Sequence, residues 1–166
     1  KVLANALAFN INGAGNSAFG WFSLTSNRIG SFSTGAGAAT LALNRADANT
    51  GVGAAALILN EFGTRNTAVG AGAMVFTAGH DTGQGSFNDA VGAFALNANK
   101  TGFSNNAMCY SALFRNISGA QNTAIGDLAL QNNDATGTGA SFNTAVGASS
   151  TKFWSRRCTE QARSNK

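Results

Sequence analysis

The sequence predicts an all-β chain wound as a parallel β-solenoid, or β-roll, and three observations carry that prediction. A five-residue motif returns along the whole chain, its returns are 17 residues apart, and proline is absent from all 166 residues. A fixed short period marks stacked-repeat folds, in which each unit rests on its neighbours. Proline cannot donate to a β-ladder, so continuous rung-to-rung pairing favours its absence. A helical reading fails because no stretch sustains apolar residues at three- and four-residue spacing, and 21 glycines interrupt every candidate.

The motif starts at Asn16 (NSAFG), Ser33 (STGAG), Asn49 (NTGVG), Asn66 (NTAVG), Asn88 (NDAVG), Asn105 (NNAMC), Asn122 (NTAIG) and Asn143 (NTAVG). Successive starts differ by 17, 16, 17, 22, 17, 17 and 21 residues, a 17-residue unit with two insertions. Ahead of the first start, Ala6, Leu7 and Asn10 are already in phase, so the expectation is about nine rungs over residues 1–151. The chain begins in mid-repeat, as a piece of something longer would. Residues 152–166 form a basic tail or cap, carrying five basic residues and one acidic one.

Numbering the unit from its Asn, place three is always Ala or Gly: Ala18, Gly35, Gly51, Ala68, Ala90, Ala107, Ala124 and Ala145. Place four is apolar (Phe19, Ala36, Val52, Val69, Val91, Met108, Ile125, Val146), and place nine is Leu or Met in seven of eight copies (Leu24, Leu41, Leu57, Met74, Leu96, Leu113, Leu130, then Thr151). Small next to large fits period-two alternation, because successive strand side chains point to opposite faces. The expectation is therefore two short strands per rung, with places four and nine filling the core. The strictly small place three then faces outward and packs against identical copies. Place five is Gly in every copy but that of Cys109, which suits a bend between the strands. An Asn three residues after the place-nine side chain (Asn27, Asn44, Asn60, Asn99, Asn116, Asn133), often followed by Gly, makes the returning turn, and Asn in register can stack as amide ladders.

The chemistry of an active site is sparse. His80 is the single histidine and lies with Asp81 in the first insertion, while the acidic residues are scattered singly. Neither metal spacing nor a disulfide framework emerges from Cys109 and Cys158. The expectation is no enzyme, no cofactor and no metal. Only 11% of residues are charged, and the net charge of +4 belongs to the tail, with no aromatic interleaving of the kind that reads nucleic acid. No apolar run is long enough for membrane insertion. Both insertions end in Ser-Phe-Asn, at Phe87 and Phe142, and Trp21 and Tyr110 fall at place six. With His80 and Asp81 these are the candidate partner contacts, since solenoid insertions emerge on one face.

The NTAVG…AL…N…G unit over residues 6–151 resembles repeats of bacteriophage tail fibres and bacterial surface proteins and, more distantly, the β-roll of trimeric autotransporter adhesin heads. That resemblance implies a left-handed roll, three chains side by side as a homotrimer, and an extracellular, cell-surface or virion location. Two functional classes stand: a structural rod, fibre or filament built by homo-oligomerisation, and an adhesin module that binds a surface glycan or receptor through its inserted loops.

Overall fold

Places two to four of every copy form one three-residue strand. A computed structural model describes residues 5–77 and 84–150. The strands are β1 (Ser17–Phe19), β2 (Thr34–Ala36), β3 (Thr50–Val52), β4 (Thr67–Val69), β5 (Asp89–Val91), β6 (Asn106–Met108), β7 (Thr123–Ile125) and β8 (Thr144–Val146). They lie in chain order in a single eight-stranded sheet, every neighbouring pair parallel. The chain is therefore an all-β solenoid: eight strands delimit seven complete turns, and residues 5–15 lead into the first.

The register follows the sequence repeat. Ala18 pairs with Gly35, Gly51 with Ala68, and Ala107 with Ala124. The 22- and 21-residue spacings leave it unchanged, with Ala68 opposite Ala90 and Ala124 opposite Ala145. The extra residues are thus accommodated outside the ladder, as a β-register that would flip every side chain on a one-residue slip demands.

The expected second strand of each rung is replaced by a run of turns. Places seven and nine are left-handed, as at Ala55 (φ 58°) and Leu57 (φ 52°), or Phe94 (φ 57°) and Leu96 (φ 51°). Places eight and nine are both fully buried, as Ala56 and Leu57 illustrate. A strand cannot send two consecutive side chains inward, and the left-handed turn does. Each such non-glycine residue carries a cost of about 1–2 kcal/mol. The backbone groups are still satisfied from rung to rung: Leu24 N–H donates to Thr40 C=O at 2.9 Å and Leu113 N–H to Ala129 C=O at 3.0 Å. Glycine at place five answers two demands at once. Gly37 has φ 137°, and a Cβ there would stand 2.7 Å from the Gly53 carbonyl oxygen of the next rung.

The core is one column. Leu24, Leu41, Leu57, Met74, Leu96, Leu113 and Leu130 stack with the small residues of places three and eight, and all seven are essentially inaccessible. Here the structure corrects the inside-outside assignment of the strand. Ala68, Ala90, Ala107 and Ala124 are fully buried, Ala145, Gly35 and Gly51 are buried, and Ala18 is half-buried against the same cluster. They pack within the roll rather than between copies. Phe19, Val52, Val91, Met108, Ile125 and Val146, expected in the core, face solvent, and Val69 and Ala36 are half-buried. The interior accepts one large side chain per rung; place nine supplies it, so place three must be small.

That limit is visible as compensation between rungs. A Cβ on Gly35 would stand 2.5 Å from Ser23 Oγ, and one on Gly51 would stand 2.6 Å from Thr40 Cγ2. Where place eight carries a larger Ser or Thr, place three of the next rung has lost its Cβ. Where place eight is Ala, as at Ala56, Ala73, Ala95, Ala112 and Ala129, the following place three is also Ala.

Two buried asparagine ladders flank this column. At place twelve, Asn44 Nδ2 donates to Asn27 Oδ1 at 3.1 Å, Asn60 Nδ2 to Asn44 Oδ1 at 2.9 Å, and Asn133 Nδ2 to Asn116 Oδ1 at 2.9 Å. At place one, the amide oxygen accepts the next rung's main-chain N–H, as from Asn66 to Asn49 Oδ1 at 2.9 Å and from Asn122 to Asn105 Oδ1 at 3.0 Å. The side-chain amide of place one also donates to the closing turn, Asn105 Nδ2 to Gly119 C=O at 2.8 Å. These bonds repay the desolvation of buried amides. Among the described residues Asn60 Oδ1 lacks a partner. The next rung carries Thr77 where the other rungs carry Asn, and Thr77 Oγ1 donates to its own Met74 C=O at 3.2 Å.

Candidate interaction surface

Strand alternation, once the small residue is turned inward, puts places two and four on the outer face of the sheet. This creates two parallel rows along the rod. One is mostly hydroxyl-bearing: Ser17, Thr34, Thr50, Thr67, Thr123 and Thr144, interrupted by Asp89 and Asn106. The other is apolar, and its most exposed members, Phe19 and Val146, retain 66% and 69% of their accessible surface. Neighbouring members of a row are about 4.8 Å apart, as strand spacing dictates.

Bends bound this face on either side. At place seventeen, just before the Asn, stand Phe32, Phe87 and Phe142, all exposed, with Phe142 at 76%. Arg65 of the same row lies over the Phe87 ring, 5.3 Å from its centroid. At place six, beyond the glycine bend, stand the exposed Trp21 and Tyr110. Trp21 meets Phe22 edge to face at 4.5 Å between centroids, and Tyr110 meets Phe94 in the same way at 6.2 Å. The candidate contacts Trp21, Tyr110, Phe87 and Phe142 therefore border one face, on which an apolar row runs beside a hydroxyl-rich one. His80 and Asp81 lie outside the described residues, as does the tail from residue 151 onward.

Charge lies mainly on the other side of the roll. Arg28, Arg45, Glu61, Lys100 and Asp134 all occupy place thirteen, a row that the sequence reading missed although the constant offset from Asn was its signal. Arg45 and Glu61, on adjacent rungs and both substantially exposed, pair at 2.9 Å, a contact that contributes little in open solvent. Of the charged residues described, the outer face and its borders hold Arg65, Asp89 and Asp127.

Among the described residues, Asp134 is the carboxylate held by the most hydrogen bonds. Its Oδ2 accepts Ser118 N–H at 2.8 Å and Ser118 Oγ–H at 2.7 Å, and its Oδ1 accepts Thr138 N–H at 2.7 Å and Gly139 N–H at 3.1 Å. Burial alone would push its pKa up, but the Ser118, Thr138 and Gly139 hydrogen bonds outweigh that and hold it below the ordinary carboxylate value. Asp134 thus clamps the second inserted turn, residues 134–142, to the preceding rung. Its role was not legible in the sequence, where it is one Asp among several.

Among the described residues no group of three or more His, Cys, Asp or Glu side chains is placed to hold a metal ion, and no helix is long and apolar enough to cross a membrane. Cys109 is a free, exposed thiol at the place-five bend, with φ 88°. The fold and this surface define a β-solenoid repeat protein with an exposed apolar row on its outer sheet face and a row of charged residues at place thirteen. Comparison with protein-family models, curated proteins and solved structures returns no match.

Proposed function

We propose that the chain is a structural repeat protein, a segment of an extracellular, cell-surface or virion rod or fibre assembled from copies of itself. The observation that supports this most directly is the outer sheet face, an exposed apolar row running the length of a ladder whose interior is already filled. Contiguous exposed apolar surface on such a scale marks interaction sites in soluble proteins. A tail-fibre segment or adhesin stalk needs stiffness along one axis and a means of lateral assembly, and this roll supplies the first through its core column and its asparagine ladders. The reading assigns no catalysis and no cofactor. Sedimentation velocity with negative-stain imaging of the purified chain tests it: assemblies of defined mass with rod-like outline are expected, and a monomer at every accessible concentration overturns it.

The second reading is a glycan- or receptor-binding module. It is favoured by the inserted turn at residues 134–142, which Asp134 holds in place beside the exposed Phe142. A glycan array separates the two: a pure spacer binds nothing, whereas an adhesin loses its signal on Phe142→Ala.

A further inference from the structure

Places seventeen and six flank the strand on the same rung, and in five of the eight rungs an aromatic side chain at one is matched by a small residue at the other. Large at place seventeen goes with small at place six: Phe32 with Ala38, Phe87 with Ala93, Phe142 with Ala148. The opposite also occurs, Gly15 with Trp21 and Ser104 with Tyr110. No rung carries an aromatic residue at both. Within a rung the two places do not touch, because the strand lies between them and six residue steps of extended chain span up to about 20 Å; along the place-seventeen row itself, the Phe32 ring already lies against Gly15.

We propose that a second copy of this chain packs alongside the first, rod axes parallel and rungs in register, with the place-seventeen edge of one copy against the place-six edge of the other. In that arrangement each exposed Phe meets an Ala of the neighbour's same rung, Tyr110 meets Ser104, and Trp21 meets Gly15 together with the Phe32 ring that lies against it. The rung carrying Gln121 and Asp127 sets an amide donor against a carboxylate. An in-register neighbour repeats the same 17-residue period, so each rung meets its own counterpart along the whole rod.

Size and charge both suit this occupant. Eight rungs about 4.8 Å apart extend about 34 Å. Multiplied by a width of up to about 20 Å, this gives a footprint of up to about 680 Å² before side-chain relief is counted, approaching the ~800 Å² per partner of a standard stable interface. Aromatic residues and Met are enriched and charge depleted at interface centres; Phe19, Met108 and Ile125 lie on this face and the charged row of place thirteen lies off it, leaving Asp89 on the face and Arg65 and Asp127 at its borders.

The inference rests on the self-assembly reading and adds the surface and the alignment. Its test uses the full chain with Cys109→Ser and Cys158→Ser, in which Ala48→Cys (place seventeen) or Ala54→Cys (place six, same rung) is introduced singly. Both alanines are solvent-facing in the single chain. Mixing the two under mild oxidation is expected to give an inter-chain disulfide, and mixing Ala48→Cys with Ala93→Cys, two rungs out of register, is not. In the natural sequence Val91→Glu, on the outer face, is expected to raise the dissociation constant at least about tenfold, with an unchanged urea midpoint showing that the rung is intact. Assemblies that persist with Val91→Glu and give no 48–54 disulfide overturn this surface while leaving self-assembly standing. A monomeric natural chain overturns both.

Discussion

Ala90 and Val91 are neighbours in the chain with opposite environments, and the same holds for Ala107 and Met108 or Ala124 and Ile125. The smaller residue of each pair is fully buried and the larger one is exposed. In an ordinary half-buried strand hydrophobicity decides which face turns inward. Here the size of the interior decides. The place-nine Leu already occupies the space, and a second large side chain opposite it would have no room. The lesson is that in a narrow solenoid a strictly small position marks the inside, and an apolar position of variable size, from Ala36 to Phe19, marks a surface.

The largest expected effect comes from the core column. Leu96→Ala should lower stability by about 2–5 kcal/mol, because the cavity is bounded by two rungs that cannot collapse into it. Val91→Ala, on the other face of the same rung, should lower the stability of the isolated chain by less than about 1 kcal/mol. Urea unfolding of the two variants at low protein concentration compares them; equal losses would reverse the inside-outside assignment.

Next in size is the compensation between rungs. Gly51→Ala should cost about 1–3 kcal/mol by overpacking against Thr40. In the Thr40→Ala background the same change should cost at least about 1 kcal/mol less, as a double-mutant cycle would measure. Additive effects would mean that places eight and three do not limit each other.

The inserted turn is held by hydrogen bonds to a carboxylate rather than by core packing. Since the folded pKa of Asp134 lies below its unfolded value, its contribution is fully present above the unfolded pKa and is lost as pH falls through the folded one. Acid titration of stability should therefore steepen at and below the usual carboxylate range, and Asp134→Asn should flatten that slope. Hydrogen exchange at Thr138 and Gly139 should rise in the same variant while the Leu column stays protected.

The smallest effect is a gain. Thr77→Asn supplies the donor that Asn60 Oδ1 lacks and closes the break in the place-twelve ladder. About 1 kcal/mol of added stability is expected, read as a higher urea midpoint with an unchanged slope. No change would mean that the orphaned oxygen is satisfied by solvent.

Much of the fold was legible because a solenoid writes its geometry as a period. The positions of Ala68, Ala90 and Ala107 one above another, the inward Leu at place nine and the stacked amides of Asn27, Asn44 and Asn60 all follow from equivalent residues recurring at one spacing. The insertions were legible too, as interruptions that the register absorbs. What was hidden is local conformation that propensity argues against. Leu, Phe and Ala disfavour left-handed backbone, so nothing in a Leu57 or a Phe94 announces a φ near 50–60°. The partner contacts at Trp21, Tyr110, Phe87 and Phe142 were recognised as exposed irregularities. Their common border on one face was not, since it depended on which side of the strand turned outward.

The sequence by itself determined the repeat, the stacking and the register, because in-line pairing of identical units is the arrangement in which every amide of Asn105 or Asn122 finds its counterpart one rung away. Only the tertiary structure decided which of two adjacent side chains lies within. That choice is made by the volume enclosed between opposite walls of the roll, a quantity fixed by the left-handed residues of places seven and nine and by a Leu from another part of the rung, and no local pattern of apolar and polar residues contains it.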